Sequence, residues 1–260
     1  MTNKIFQTFK IFTTMSRKKN FLFYSLFLMS VVMLLTTYSC EKDKDSAITV
    51  TDADGNVYQT VEIGSQVWMT TNLKTTKYND GSDIPLISDT LVWSGLVTPG
   101  YTWYKNDESN KPNYGALYNW HTVNTGNLAP AGWHVATHAD WTTLQNYLID
   151  NGYNYEDGVT GNHIAKALAS TSGWTPSANI GAVGNTDFPE KRNKSNFNAM
   201  PGGHINNTSF KYAGSYGYWW TSTAYNDTAA WSRVVYFSDT KVDFPINNKN
   251  KGFSVRCVRD

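Results

Sequence analysis

Hydrophobic and polar positions keep a period of two along "NVYQTVEIGSQVWMTTNL". Val57, Gln59, Val61 and Ile63 share one side, the run breaks at Gly64-Ser65, and it resumes with Val67 and Met69. Two short strands around a Gly-Ser pair predict a hairpin. The period changes in "THADWTTLQNYLIDNG", where Trp141, Leu144 and Leu148 recur at spacings of three and four. Thr137 and Asp140 form a capping-box pair at its start and Gly152 follows its last turn, so one amphipathic helix is predicted here. A shorter helix is predicted in "NHIAKALAS". From Asn79 to Tyr114 no period is kept, and Gly, Pro, Asp, Ser and Asn predict loop. Beyond Gly173 come short strand candidates, among them "GYWWTST", "AWSRVVYF" and "FSVRCV". In the last, Phe253, Val255 and Cys257 alternate with Ser254, Arg256 and Val258, which puts Cys257 on an apolar strand face. A hairpin, a long loop, two helices and then strands predict an α+β fold.

The N-terminal pattern is of another kind. Residues 1–20 carry five basic side chains and no acid, and the uncharged run "FLFYSLFLMSVVMLLTT" follows. A basic segment before an apolar one reads as a secretory signal peptide, assigned to residues 1–39. Met15 opens the more regular "MSRKKN" and reads as the true start. Ser39 directly precedes Cys40, an order similar to the cleavage box of bacterial lipoproteins, so Cys40 is the expected lipidation site. The competing reading is an uncleaved membrane anchor, for which the apolar run is slightly short of about 20 residues. Residues 40–48, with "EKDKDS", form a charged tether, and residues 49–260 a single domain. The tether resembles the acidic signal after the cysteine that sends lipoproteins of Bacteroidetes-type bacteria to the outer face of the outer membrane. The expected location is extracytoplasmic, anchored by lipid to the outer membrane and displayed at the cell surface.

Charge and cysteine count narrow the chemistry. The chain has 22 basic and 21 acidic residues. Five of the basic ones and no acid lie in residues 1–40, so the remainder carries 17 against 21. No basic run survives, which argues against a nucleic-acid partner. The chain has two cysteines. With Cys40 lipidated, Cys257 has no partner for a disulfide or cysteine-pair redox chemistry. The histidines (His121, His134, His138, His163 and His204) form no helical pair with an intervening Glu, and His134 reads as a hydrogen-bonded structural residue. "DADGN" at Asp52–Asn56 has its glycine at the fourth place instead of the sixth, and reads as a turn leading into a strand. No cofactor is expected, and a structural calcium ion held by loop carbonyls stays open.

Six strings occur in order: "DADGNVYQTVEIGSQVWMTTNL", "YGALYNW", "LAPAGWHVATHADWTTL", "FNAMPGG", "GYWWTST" and "GFSVRCVRD". Together they resemble the Fibrobacter succinogenes major paralogous domain family, over roughly residues 49–260. The resemblance implies a C-type-lectin-like domain related to the branch containing the formylglycine-generating enzyme, with twisted antiparallel strands, two helices and long loops. It also implies secreted or lipid-anchored proteins of no assigned activity. That branch's enzyme uses closely spaced cysteines, which this chain lacks, so no such activity is expected. The calcium-site tripeptides of lectins with this fold are absent as well.

"GYWWTSTAYNDTAAWSRVVYF" packs three Trp and three Tyr among small polar residues. That mixture suits a binding surface, because large rigid rings give contact area at low entropy cost. Trp219 and Trp220, adjacent on a strand, read as framework on opposite faces. The resemblance places ligand binding in the C-terminal third, and Tyr212, Tyr216, Asn226, Asp227, Trp231, Tyr236 and Asp239 are expected to form one exposed patch, away from the tether. Family members in gut bacteria resemble targets of diversity-generating retroelements, and residues 206–250 are rich in the residue types these favour. The expected function is a lipid-anchored adhesin-like module that binds a protein or glycan. The alternatives are a structural envelope lipoprotein, or a carbohydrate-active enzyme using two of Asp187, Glu190, Asp227 and Asp239.

Overall fold

A computed structural model describes residues 49–260. The expected signal peptide, Cys40 and the tether lie outside the described residues. Among the described residues the fold is α+β, with mostly antiparallel strands and few helices. The strands are β1 (Thr49–Thr51), β2 (Val57–Ile63), β3 (Gln66–Met69), β4 (Tyr101–Thr102), β5 (Leu117–Tyr118), β6 (Trp133–Val135) and β7 (Gly202–Asn206). They continue with β8 (Ser209–Ala213), β9 (Tyr216–Ala224), β10 (Ala229–Tyr236), β11 (Val242–Asp243), β12 (Ile246–Asn248) and β13 (Cys257–Arg259). The α-helices are α1 (Thr90–Ser94), α2 (Lys111–Tyr114), α3 (Trp120–Val123), α4 (His138–Asp150) and α5 (Ala165–Leu168).

One sheet has the order β1-β2-β3-β13-β6, a second runs β11-β10-β9-β7-β8 with β12 added along β10, and β4 pairs β5. Adjacent residues on or directly after single strands divide between two cores, as a period of two requires. Met69, Val135, Trp220 and Cys257 enter a core with Tyr118, Trp120 and Phe253. Their neighbours Trp68, Ala136, Trp219 and Val258 enter a second core with the Trp141, Leu144 and Leu148 face of α4. Trp68 meets Trp141 and Phe197 edge-on, with ring centroids 5.1 and 5.5 Å apart.

The predicted hairpin forms, with Ile63 opposite Gln66. Gly64 has φ +63, and a Cβ there would stand 2.7 Å from the Tyr147 ring of α4, so glycine serves both the turn and the close packing. The buried side of β2 differs from the prediction at its start. Tyr58 is buried and donates a 2.5 Å hydrogen bond to Asp52, while Val57 is exposed. Asp52 also accepts from the backbone of Asp54 and Asn56, so "DADGN" is a turn held by its first carboxylate. Helix α4 has the expected capping box of Thr137 and Asp140. The second predicted helix shrinks to the four residues of α5. The stretch 79–114 is not all loop, because α1, α2 and two 3-10 turns lie within it.

The terminal segment ties the parts together. Tyr118, Ile205 and Trp219 bridge to Phe253, Gly252 and Ser254, and β13 then enters the first sheet between β3 and β6. Cys257 is buried and free, and burial pushes its thiol pKa up. Arg256, expected on the polar side, is fully buried too. Its guanidinium donates to the carbonyls of Met69, Phe197 and Asn198 and to Asn72 Oδ1, at 2.7–2.8 Å. Asn72 Oδ1 also accepts from Trp219 Nε1 at 2.8 Å, so one amide joins the two sheets.

Candidate ligand-binding surface

The seven residues expected in one patch are divided by strand geometry. In the β9–β10 ladder Tyr216 stands opposite Tyr236, and Tyr218 opposite Val234. Tyr216, Tyr218 and Tyr236 therefore share a face, and Tyr212 of β8 packs on Tyr216 with ring centroids 4.5 Å apart. Trp231 lies five positions before Tyr236 on the same strand, an odd number, so it points the other way. It packs on His138 at the start of α4, at 4.6 Å. The single patch is thus corrected to two aromatic groups on opposite faces of one sheet. Asn226 and Asp239 are spent on their own turns. Asn226 Oδ1 accepts from the backbone of Thr228 and Ala229, and Asp239 Oδ1 from that of Thr240 and Lys241. Asp227 is exposed in the β9–β10 turn.

The tyrosine face continues inward through His204, which is buried, packs edge-on to Tyr218 at 4.8 Å, and has no hydrogen-bond partner for Nδ1 among the described residues. Burial, then the charges of Lys251 and Lys211, pull its pKa down to about 4.

The Trp231 face is more open. Tyr225 stands at 89° to Trp231 with centroids 5.5 Å apart, and Phe244 adds a third ring at 6.3 Å. Tyr225 and Phe244 are about half exposed, at 54% and 49%. Beneath them Arg233 is 1% exposed. Its Nη1 donates to His138 Nδ1 and to the Ser232 carbonyl at 3.2 Å, and its Nη2 to the His138 carbonyl at 3.2 Å and Thr142 Oγ1 at 3.3 Å. Burial lowers the Arg233 pKa to about 10. The His138 pKa is lowered by burial and then by the Arg233 charge. Sequence reasoning missed His138, Tyr225 and Phe244 as members of this surface. The one local signal was His138 directly after the N-cap Thr137.

A cleft of about 480 Å³ lies beside the β9–β10 turn, lined by Leu96, Val97, His121, Asp227, Lys249 and Asn250 among others. Lys249 Nζ sits 4.4 Å from the Trp120 ring centroid and donates to the Asp227 carbonyl at 2.9 Å. Asp227 is the one carboxylate in that lining. Of the other candidate acids, Asp187 pairs with the fully buried Lys166 and accepts from the Gly181 backbone. Among the described residues, no group of three or more His, Cys, Asp or Glu is placed to hold a metal ion.

The Fibrobacter succinogenes major domain model matches residues 61–259. The chain belongs to that family. The Fibrobacter succinogenes major domain of this chain thus runs from the middle of β2 to the last residue of β13, and includes both aromatic faces and the cleft. No curated protein and no solved structure matches the chain.

Proposed function

We propose that this Fibrobacter succinogenes major domain is a lipid-anchored cell-surface binding module of C-type-lectin-like fold, non-catalytic, which holds its ligand at the Trp231 face. The observation that carries the reading is Trp231 with Tyr225 and Phe244 each packed against it, two rings that are about half exposed. Such rings are costly to leave in water and give much contact area for few immobilised rotors. Aromatic anchors of this kind tend to dominate affinity. The tyrosine face and the Asp227 cleft are secondary surfaces, and Tyr212, Tyr216, Tyr236 and Asp227 contribute there. The location part rests on the order of basic segment, apolar segment and Cys40.

The mature chain, screened on arrays of immobilised glycans and proteins, tests the reading. Trp231→Ala should weaken the strongest signal at least about 10-fold, the size expected for loss of an aromatic anchor. The melting temperature should move by only a few degrees. Binding that survives Trp231→Ala undiminished would remove this face from consideration.

A further inference from the structure

We infer that the Trp231 face is a metal-independent saccharide-binding subsite, in which Trp231 and Tyr225 receive the C–H face of a pyranose ring and His138 Nε2–H donates to one of its hydroxyls. The inference rests on the reading of this face as the binding surface, and adds the ligand's chemistry.

The first argument is the tautomer of His138. A guanidinium carries only donors, so the bond from Arg233 Nη1 makes His138 Nδ1 an acceptor. The neutral ring then carries its proton on Nε2. Among the described residues the only hydrogen bond to this imidazole is the one at Nδ1, so Nε2–H is a donor left for a ligand or for water. It is also held in place. The ring starts α4, leans on Trp231 at 4.6 Å and is pinned from below by Arg233. A donor fixed before binding loses little entropy on binding.

The second argument is shape. Tyr225 stands at 89° to Trp231, which makes a floor and a wall, and Phe244 borders the floor on another side. A flat ring of polarised C–H groups fits such a corner, as the negative faces of aromatic rings favour positive edges.

The third argument is charge, which separates saccharides from the other tenants of aromatic corners. Quaternary ammonium groups also bind between aromatic rings. Here the charged group beneath the rings is Arg233, which is buried and makes no ion pair with a carboxylate among the described residues. A cation would be repelled by it. A purely apolar side chain would cover the Nε2–H donor and leave it unsatisfied, which is costly. A neutral pyranose offers both an apolar face and hydroxyl acceptors.

The mature chain is titrated with neutral hexasaccharides of glucose, xylose and mannose in EDTA, followed by calorimetry and tryptophan fluorescence. At least one should bind, Trp231→Ala should weaken it at least about 10-fold, and the His138 imidazole nitrogens should shift on binding in nitrogen-15 NMR of the unaltered protein. His138→Phe, which keeps a ring and removes the donor, should weaken binding, and His138→Gln, which restores a donor nitrogen, should recover part of the loss. Failure of all three saccharides, or binding abolished by EDTA, overturns the assignment. If saccharides fail while an array protein still depends on Trp231, the ligand class is wrong and the binding-module reading stands. If neither glycan nor protein binding depends on Trp231, both fall.

Discussion

Removing the guanidinium of Arg256 would strand three backbone carbonyls inside the protein and leave Asn72 Oδ1 with Trp219 Nε1 as its remaining donor. Each unsatisfied buried acceptor costs about 1–3 kcal/mol, so with partial relaxation Arg256→Met should lose about 3–5 kcal/mol of stability in denaturant titrations. Arg256→Lys should recover little, because one compact ammonium cannot span acceptors set out for a planar fork. A loss below about 1 kcal/mol for Arg256→Met would show that those acceptors find other partners. The alternation in "FSVRCV" placed Cys257 correctly on an apolar face. It misplaced Arg256, because the opposite face of this strand is buried as well. The oxygens that make its burial tolerable belong to Asn72, Met69, Phe197 and Asn198, far off in sequence, and leave no local trace. Trp231 and Tyr236 are the reverse case. Their odd spacing within one predicted strand already implied opposite faces, and the aromatic composition obscured it.

Helix α4 was the most legible element, since its period, cap and stop all agree. Its N-terminus also carries a bridge of titratable groups. Asp140 closes the capping box and accepts from His134, whose other ring nitrogen meets Asp260 at 2.6 Å. Burial by itself pulls the His134 pKa down, but the two carboxylates outweigh it and the net shift is upward. The protonated ring therefore favours the folded state. That contribution is complete below about 6.5, the ordinary imidazole value, and is lost as pH rises through the higher folded value. Asp140 shifts the other way. Burial would raise its pKa, yet the bonds from Thr137 and His134 leave it lowered, so its contribution is present above about 3.9 and lost as pH falls through the folded value. Melting temperatures from pH 5.5 to 9 should fall more for the unaltered protein than for His134→Gln, and parallel curves would rule the bridge out as a source of stability. The loop elements were illegible by comparison. In α1, Leu91 and Val92 are exposed and only Trp93 is buried, so one turn of helix is fixed by one anchor and shows no period.

At the scale of the molecule, the sequence conveyed α+β and the terminal strands. It could not convey that the sheets share two cores, because that follows from which strands become neighbours. Anchoring has its own test: Cys40→Ser should abolish incorporation of labelled lipid and release the protein from the membrane fraction, and unchanged membrane association without lipid label in the unaltered protein would defeat the proposal. The bridges at 252–254 and the insertion of β13 between β3 and β6 carry one more consequence. The first sheet is not closed until residues 257–259 have been made, and contacts of such long sequence separation are slow to form. A frameshift or stop codon arising in the stretch 206–250 would therefore yield a chain with an open first sheet, exposed to proteases. The segment 252–259 acts as a seal that only an in-frame message can supply.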